Sequence, residues 1–197
     1  MKLSKSIILK MAGICLLFSI LLLPISSKAQ SPDNLQWGAT VNGLQMSISA
    51  VASSKTNVPE FQVALRNVGE KDTTVNLGIM LANGKKQEPD KIDFILTDAN
   101  GKTHKFDFGS VMIVAGRVDD FIVPLRAGSI YTIRFSSEHF YSSGANESVS
   151  QLLSGKYKIT AEFEGSGANH TNLDTPGVKL MNFWLGKLQS NDLTVER

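Results

Sequence analysis

Only one of the 197 residues is cysteine, Cys15, so no disulfide can form within the chain. Whatever folds must be held by its own core. Apolar runs are short as well: the longest, Met11 to Leu23, falls below the roughly 20 residues that a membrane-spanning helix needs. No stable membrane span is expected. Catalytic signatures are equally scarce. The chain has no His-Glu-x-x-His, no Gly-x-Ser-x-Gly elbow and no glycine-rich phosphate loop, and His104, His139 and His170 are scattered. No catalytic residue, metal or cofactor is implied.

The first segment has the build of a secretory signal peptide. Lys2, Lys5 and Lys10 precede the apolar run, Pro24 follows it, and Ser27 and Ala29 supply the small residues of a cleavage site. Residues 1–29 are read as that peptide and 30–197 as one domain, secreted or periplasmic. Cys15 leaves with the peptide. So do four lysines, which turns the formal charge of +2 into −2 and removes the basic excess that nucleic acid would need. The remaining 168 residues make one domain of ordinary length, which buries roughly 70% of its unfolded surface and can stand without staples.

Apolar residues recur at every second position. Leu44, Met46 and Ile48 share one side of the first run, Phe61, Val63 and Leu65 of the second, and Val75, Leu77, Ile79 and Leu81 of the third. The pattern continues at Ile92, Phe94 and Leu96, at His104, Phe106 and Phe108, at Tyr131, Ile133 and Phe135, and at Tyr157, Ile159, Ala161 and Phe163. In the last run Met181, Phe183 and Leu185 are in phase, Leu188 is out of phase, and Leu193 and Val195 return. Each change of phase needs an extra residue, and Gly186 and Ser190-Asn191 are the candidate bulges. Asn100-Gly101 marks a hairpin, and Val123-Pro124 a strand end or edge. Eight or nine short strands with no sustained helical period predict an all-β fold, an antiparallel sandwich or barrel.

Three groups of side chains invite chemistry. Between the second and third strands, "RNVGEKD" concentrates Arg66, Glu70, Lys71 and Asp72, but Asn67 and Gly69 are turn residues and the cluster reads as a turn. "DANGK" from Asp98 lacks the later ligands of a calcium loop and reads as the hairpin. The carboxylates Asp119 and Asp120 face opposite sides of a strand, while Glu162 and Glu164 share a polar one. For ligand contact the candidates are aromatics near loops or strand ends: Phe140, Tyr141 and Trp184, together with Trp37. Asn146 and Asn169 head glycan-acceptor patterns.

"LLSGKYKI", with Leu153, Gly155 and Tyr157, resembles the tyrosine corner of immunoglobulin-like and fibronectin-like sandwiches, in which a tyrosine opening the penultimate strand bonds back to the preceding loop. Ile159 stands where antibody-type domains have cysteine. With "WGATVNGLQMSI", "VALRNVG" and "WLGKLQSNDLTV", the stretch from Trp37 to Glu196 resembles immunoglobulin-like domains of secreted bacterial proteins and is loosely similar to intracellular proteinase inhibitor domains. The resemblance implies an immunoglobulin-like β-sandwich with Tyr157, Gly155, Leu153, Trp184 and Gly186 in structural roles. It also implies a non-catalytic binding or scaffold module whose partner is another protein or an envelope component. The contacts are expected from the loops Ser136–Ser150 and Gly165–Lys179. An inhibitor of an extracytoplasmic protease and a carbohydrate-binding module are the alternatives.

Overall fold

The computed structural model describes residues 34–51, 60–81, 86–108, 118–142, 155–168 and 181–196. The chain is all-β, and every strand pair is antiparallel. One sheet joins β1 (Leu44–Val51), β2 (Glu60–Asn67) and β8 (Ile130–Ser136) in the order β1-β2-β8. A second has β10 (Lys156–Gly165) at its heart. It runs through β5 (Ile92–Asp98) and β6 (Thr103–Phe108) to β9 (Phe140–Ser142), with β11 (Gly186–Gln189) and β12 (Leu193–Glu196) on the other side of β10. A third holds β3 (Thr73–Leu81) between β4 (Lys86–Glu88) and β7 (Val118–Leu125).

The alternation read from the sequence explains how the first two sheets meet. Met46, Ile48, Phe61, Val63 and Leu65 from one sheet share a core with Phe94, Leu96, Phe106, Ile159, Ala161 and Phe163 from the other. The Phe61 and Phe94 rings lie 5.7 Å apart across the interface, an arrangement consistent with a β-sandwich. Segments beyond the expected eight or nine strands arise from two three-residue strands, β4 and β9, and from an interruption that divides the last strand into β11 and β12.

That interruption is a bulge. Ser190, Asn191 and Asp192 lie opposite only Thr160 and Ala161, so the edge carries one extra residue at one of the two places its phase change required. Every side chain of the stretch is used. Ser190 Oγ accepts from the Ala161 N–H at 2.9 Å, and Asp192 accepts from Thr160 Oγ1 at 2.9 Å and lies 3.3 Å from the Lys158 ammonium. Asn191 imitates a strand: its Oδ1 accepts from the Ile48 N–H at 2.8 Å and its Nδ2 donates to the Ile48 carbonyl at 3.1 Å, tying the β1 edge to the second sheet.

A second bulge corrects the expected third run. Leu77 and Gly78 lie opposite the single residue Phe121, so the phase flips within β3. Val75 and Leu77 enter the core as expected, but beyond the bulge Met80 packs against it, and Ile79 and Leu81 turn to the other face beside Asn76 and Asp120. Gly78, at φ +143°, permits this because a Cβ there would strike the Glu88 carbonyl and the Asp90 side chain.

Candidate functional site

The charged cluster between β2 and β3 does not converge on one point. Arg66 points away from the core, where its guanidinium stacks 4.3 Å over the Trp37 ring and donates twice to Gln45 Oε1, at 2.5 and 3.2 Å. Asp72 accepts from the Ala127 N–H at 2.9 Å, capping the β7–β8 turn. The organiser is the uncharged residue. Asn67 is buried; its Nδ2 donates to the Lys71 carbonyl at 2.9 Å and the Leu125 carbonyl at 3.0 Å, and its Oδ1 accepts from the Gly69 N–H at 3.0 Å. A single amide thus joins two turns.

Around these turns lie exposed apolar side chains. The Val68 N–H donates to the Gly43 carbonyl at 2.8 Å, and next to Gly43, Asn42 Nδ2 donates to the Leu185 carbonyl at 3.1 Å. Asn182, beside Met181, donates to the Asp72 carbonyl at 3.4 Å. Val68, Met181 and Leu185 are therefore anchored to one end of the molecule while their side chains are 43%, 36% and 60% exposed. Glu70, Lys71 and Asp72, all exposed, form a charged rim beside them.

Trp184 corrects both the phase read for the last run and its role as a ligand-facing ring. It is buried, stacks on Phe163 at 5.5 Å, and donates from Nε1 to the Val41 carbonyl at 3.2 Å. Its seat is made by the paired glycines Gly165 and Gly186. A Cβ on Gly165 would strike the indole and lie 2.6 Å from the Trp184 carbonyl, and one on Gly186 would lie 3.1 Å from the ring. Met181 and Leu185 are accordingly exposed instead of lining the core, and Phe183, which bridges to Thr74, is only half-buried. Phe140 is a second correction. It is fully buried, with its ring centroid 4.4 Å from that of Phe94 and 5.4 Å from those of Phe108 and Phe135. Tyr141, its neighbour on the opposite face, is 42% exposed, and Trp37 is half-buried under Arg66. The four aromatics form no common stacking platform.

Tyr157 is half-buried against the core near the start of β10, between Asp98 and Val195, and Gly155 precedes it at φ +117°. Leu153, Asn146, Asn169 and His170 lie outside the described residues, as does most of both expected contact loops. His104 and His139 stand apart, near the Phe106 and Phe108 rings respectively. Among the described residues no group of three His, Cys, Asp or Glu is placed to hold a metal ion, and no helix is long and apolar enough to cross a membrane.

The carboxylates are engaged separately. Glu162 accepts from Gln189 at 2.6 Å, and Glu164 lies 3.2 Å from the Lys187 ammonium. Asp98 closes the hairpin by accepting from the Asn100 and Lys102 N–H groups, both at 2.8 Å, and these bonds hold its carboxyl below the usual range. Asp119 and Asp120 diverge; Asp120 is buried and accepts from Asn76 at 2.9 Å. Asn76, whose Nδ2 also reaches the Gly167 carbonyl at 2.9 Å, escaped sequence reasoning. The signal was Gly78, a glycine inside an apolar strand.

Asp93 lies 2.8 Å from the Lys105 ammonium on the polar face of the second sheet. Burial, the largest single influence, raises its carboxyl above the ordinary range; the hydrogen bond and charge of Lys105 lower it, and Asp107 and Glu162 raise it again. Because the folded state then binds more protons than the unfolded, this contribution is present below the ordinary carboxylate value and is lost as pH rises to the raised folded one. Wild-type urea midpoints, measured upward from about pH 4, should therefore fall relative to those of Asp93→Asn. Parallel curves would contradict this account.

No protein-family model matches the chain, and no curated protein matches it. Its functional reading rests on its own residues.

Proposed function

We propose that this chain is an exported, non-catalytic binding module with an immunoglobulin-like sandwich, and that it meets a protein or envelope partner through the end carrying Val68, Met181 and Leu185. The carrying observation is that group of exposed apolar side chains beside charged turns, since apolar surface gathered at one place and rimmed by polar residues is characteristic of interaction sites. Strand order supports the fold assignment: β1-β2-β8 opposite β11/β12-β10-β5-β6 has the arrangement of strands A-B-E opposite G-F-C-C′. Export rests on the lysines and apolar run before Ala29.

Photocrosslinking amino acids placed at Leu185 and at Gln62, on the outer face of β2, test the reading in the native envelope fraction. Adducts are expected at Leu185 and lost in a Val68→Glu, Met181→Glu double variant whose unfolding midpoint is unchanged. Equal adduct yield at the two positions would overturn the assignment. Trimming of the following loop should begin after Ala168, because Gly165 and Gly167 are built into the core and the third sheet.

A further inference from the structure

Sheet edges are sites of unwanted pairing, and folded proteins protect them with short strands, prolines, charges, bulges or covers. Among the described residues nearly every edge has such a device. The β1 edge is occupied by Asn191 and by the Gly38 N–H, which donates to the Met46 carbonyl at 2.8 Å. The β11–β12 edge carries the bulge, β4 and β9 are three residues long, and β7 carries an exposed proline, Pro124, one residue before its end. β8 is the least protected of them, its one such device being the charge of Arg134. It runs for seven residues, pairs only with β2 among the described residues, keeps an unbroken register from Glu60 opposite Ser136 to Arg66 opposite Ile130, and contains neither proline nor lysine.

Its backbone direction follows from one bond. The Ser129 carbonyl accepts from the Asn67 N–H, so Tyr131, Ile133 and Phe135 direct their N–H and C=O groups to β2, and Ile130, Thr132, Arg134 and Ser136 direct theirs to the opposite edge, which no described strand pairs. The side chains of Ile130, Thr132 and Arg134 are exposed.

We propose that this edge is the contact between two copies of the chain, joined antiparallel about a two-fold axis at Ile133 into a continuous sheet of six strands. In that register Thr132 stands opposite Arg134 of the second copy and Ile130 opposite Ser136, so all four outward residues are used. The four pairs exchange about eight hydrogen bonds. A slip that centred the pairing on Arg134 would place two guanidinium groups face to face, which disfavours it. The formal charge is close to neutral, so a second copy meets little overall repulsion.

Sedimentation of the purified protein over a concentration series should show a dimer. Thr132→Pro deletes an N–H that points away from β2, and should weaken the dimer at least tenfold while leaving the circular dichroism spectrum unchanged. A second test does not depend on that variant folding. In a Cys15→Ser background, Ile133→Cys places two thiols at the axis, where opposed Cα atoms about 4.5 Å apart suit a disulfide, whereas Arg134→Cys faces Thr132. Ile133→Cys should oxidise to a covalent dimer well ahead of Arg134→Cys. Monomer at every concentration, a dimer indifferent to Thr132→Pro, or equal crosslinking at the two positions would each overturn the proposal.

Discussion

Trp184→Ala is expected to destabilise the fold by about 3 to 5 kcal/mol, the range for removing a large buried aromatic, while Leu185→Ala stays within about 0.5 kcal/mol. The two residues are neighbours and both apolar, so hydrophobicity cannot separate them. Burial does: the indole stacks on Phe163 and lies against the paired glycines, while the leucine is 60% exposed. Gly165→Ala should approach the tryptophan loss, since its Cβ would lie 2.6 Å from the Trp184 carbonyl and 2.7 Å from Cζ3, and backbone cannot yield as a side chain can. Urea unfolding followed by far-ultraviolet circular dichroism measures all three. A large loss for Leu185→Ala with little for Trp184→Ala would invert the assigned phase.

Asn67→Leu is expected to cost about 3 kcal/mol or more. The substitution removes three hydrogen bonds: the buried Leu125 carbonyl and the partly buried Lys71 carbonyl lose the donor they share, and the Gly69 N–H keeps only the Gly43 carbonyl at 3.1 Å; a buried group so stranded costs about 1 to 3 kcal/mol, and each further lost bond about 1 kcal/mol. By contrast, Glu70→Gln and Lys71→Gln, at exposed positions of the same turn, should each change stability by less than about 0.5 kcal/mol. This comparison separates a turn organised by its amide from a site organised by its charges. Near-neutral behaviour of Asn67→Leu would remove the structural role.

Much of the architecture was legible in local pattern. In β1, β2, β8 and β10 the residues read as sharing a face do so, and the hairpin at Asn100-Gly101 and the bulge at Ser190-Asn191 lie where their residue types placed them. The turn reading of "RNVGEKD" also holds, because Asn67 and Gly69 carry its hydrogen bonds. Less of the site was legible. Phe140 stands beside a serine-rich stretch and reads as a loop aromatic, yet three phenylalanines from other strands surround it.

The chain's own order of residues determined that it forms antiparallel strands and which side chains share a face within each, because a period of two is a property of the extended backbone and needs no partner. Tertiary structure alone decided which phase prevails after a break. At the end of the chain Met181, Phe183 and Leu185 offer three apolar positions against Trp184 and Leu188, and composition gives no preference. The choice falls to Trp184 because Gly165, on β10, leaves the space that the indole ring fills. The depth of such a space is set by a strand distant in sequence, and a one-residue bulge reverses the phase of everything beyond it.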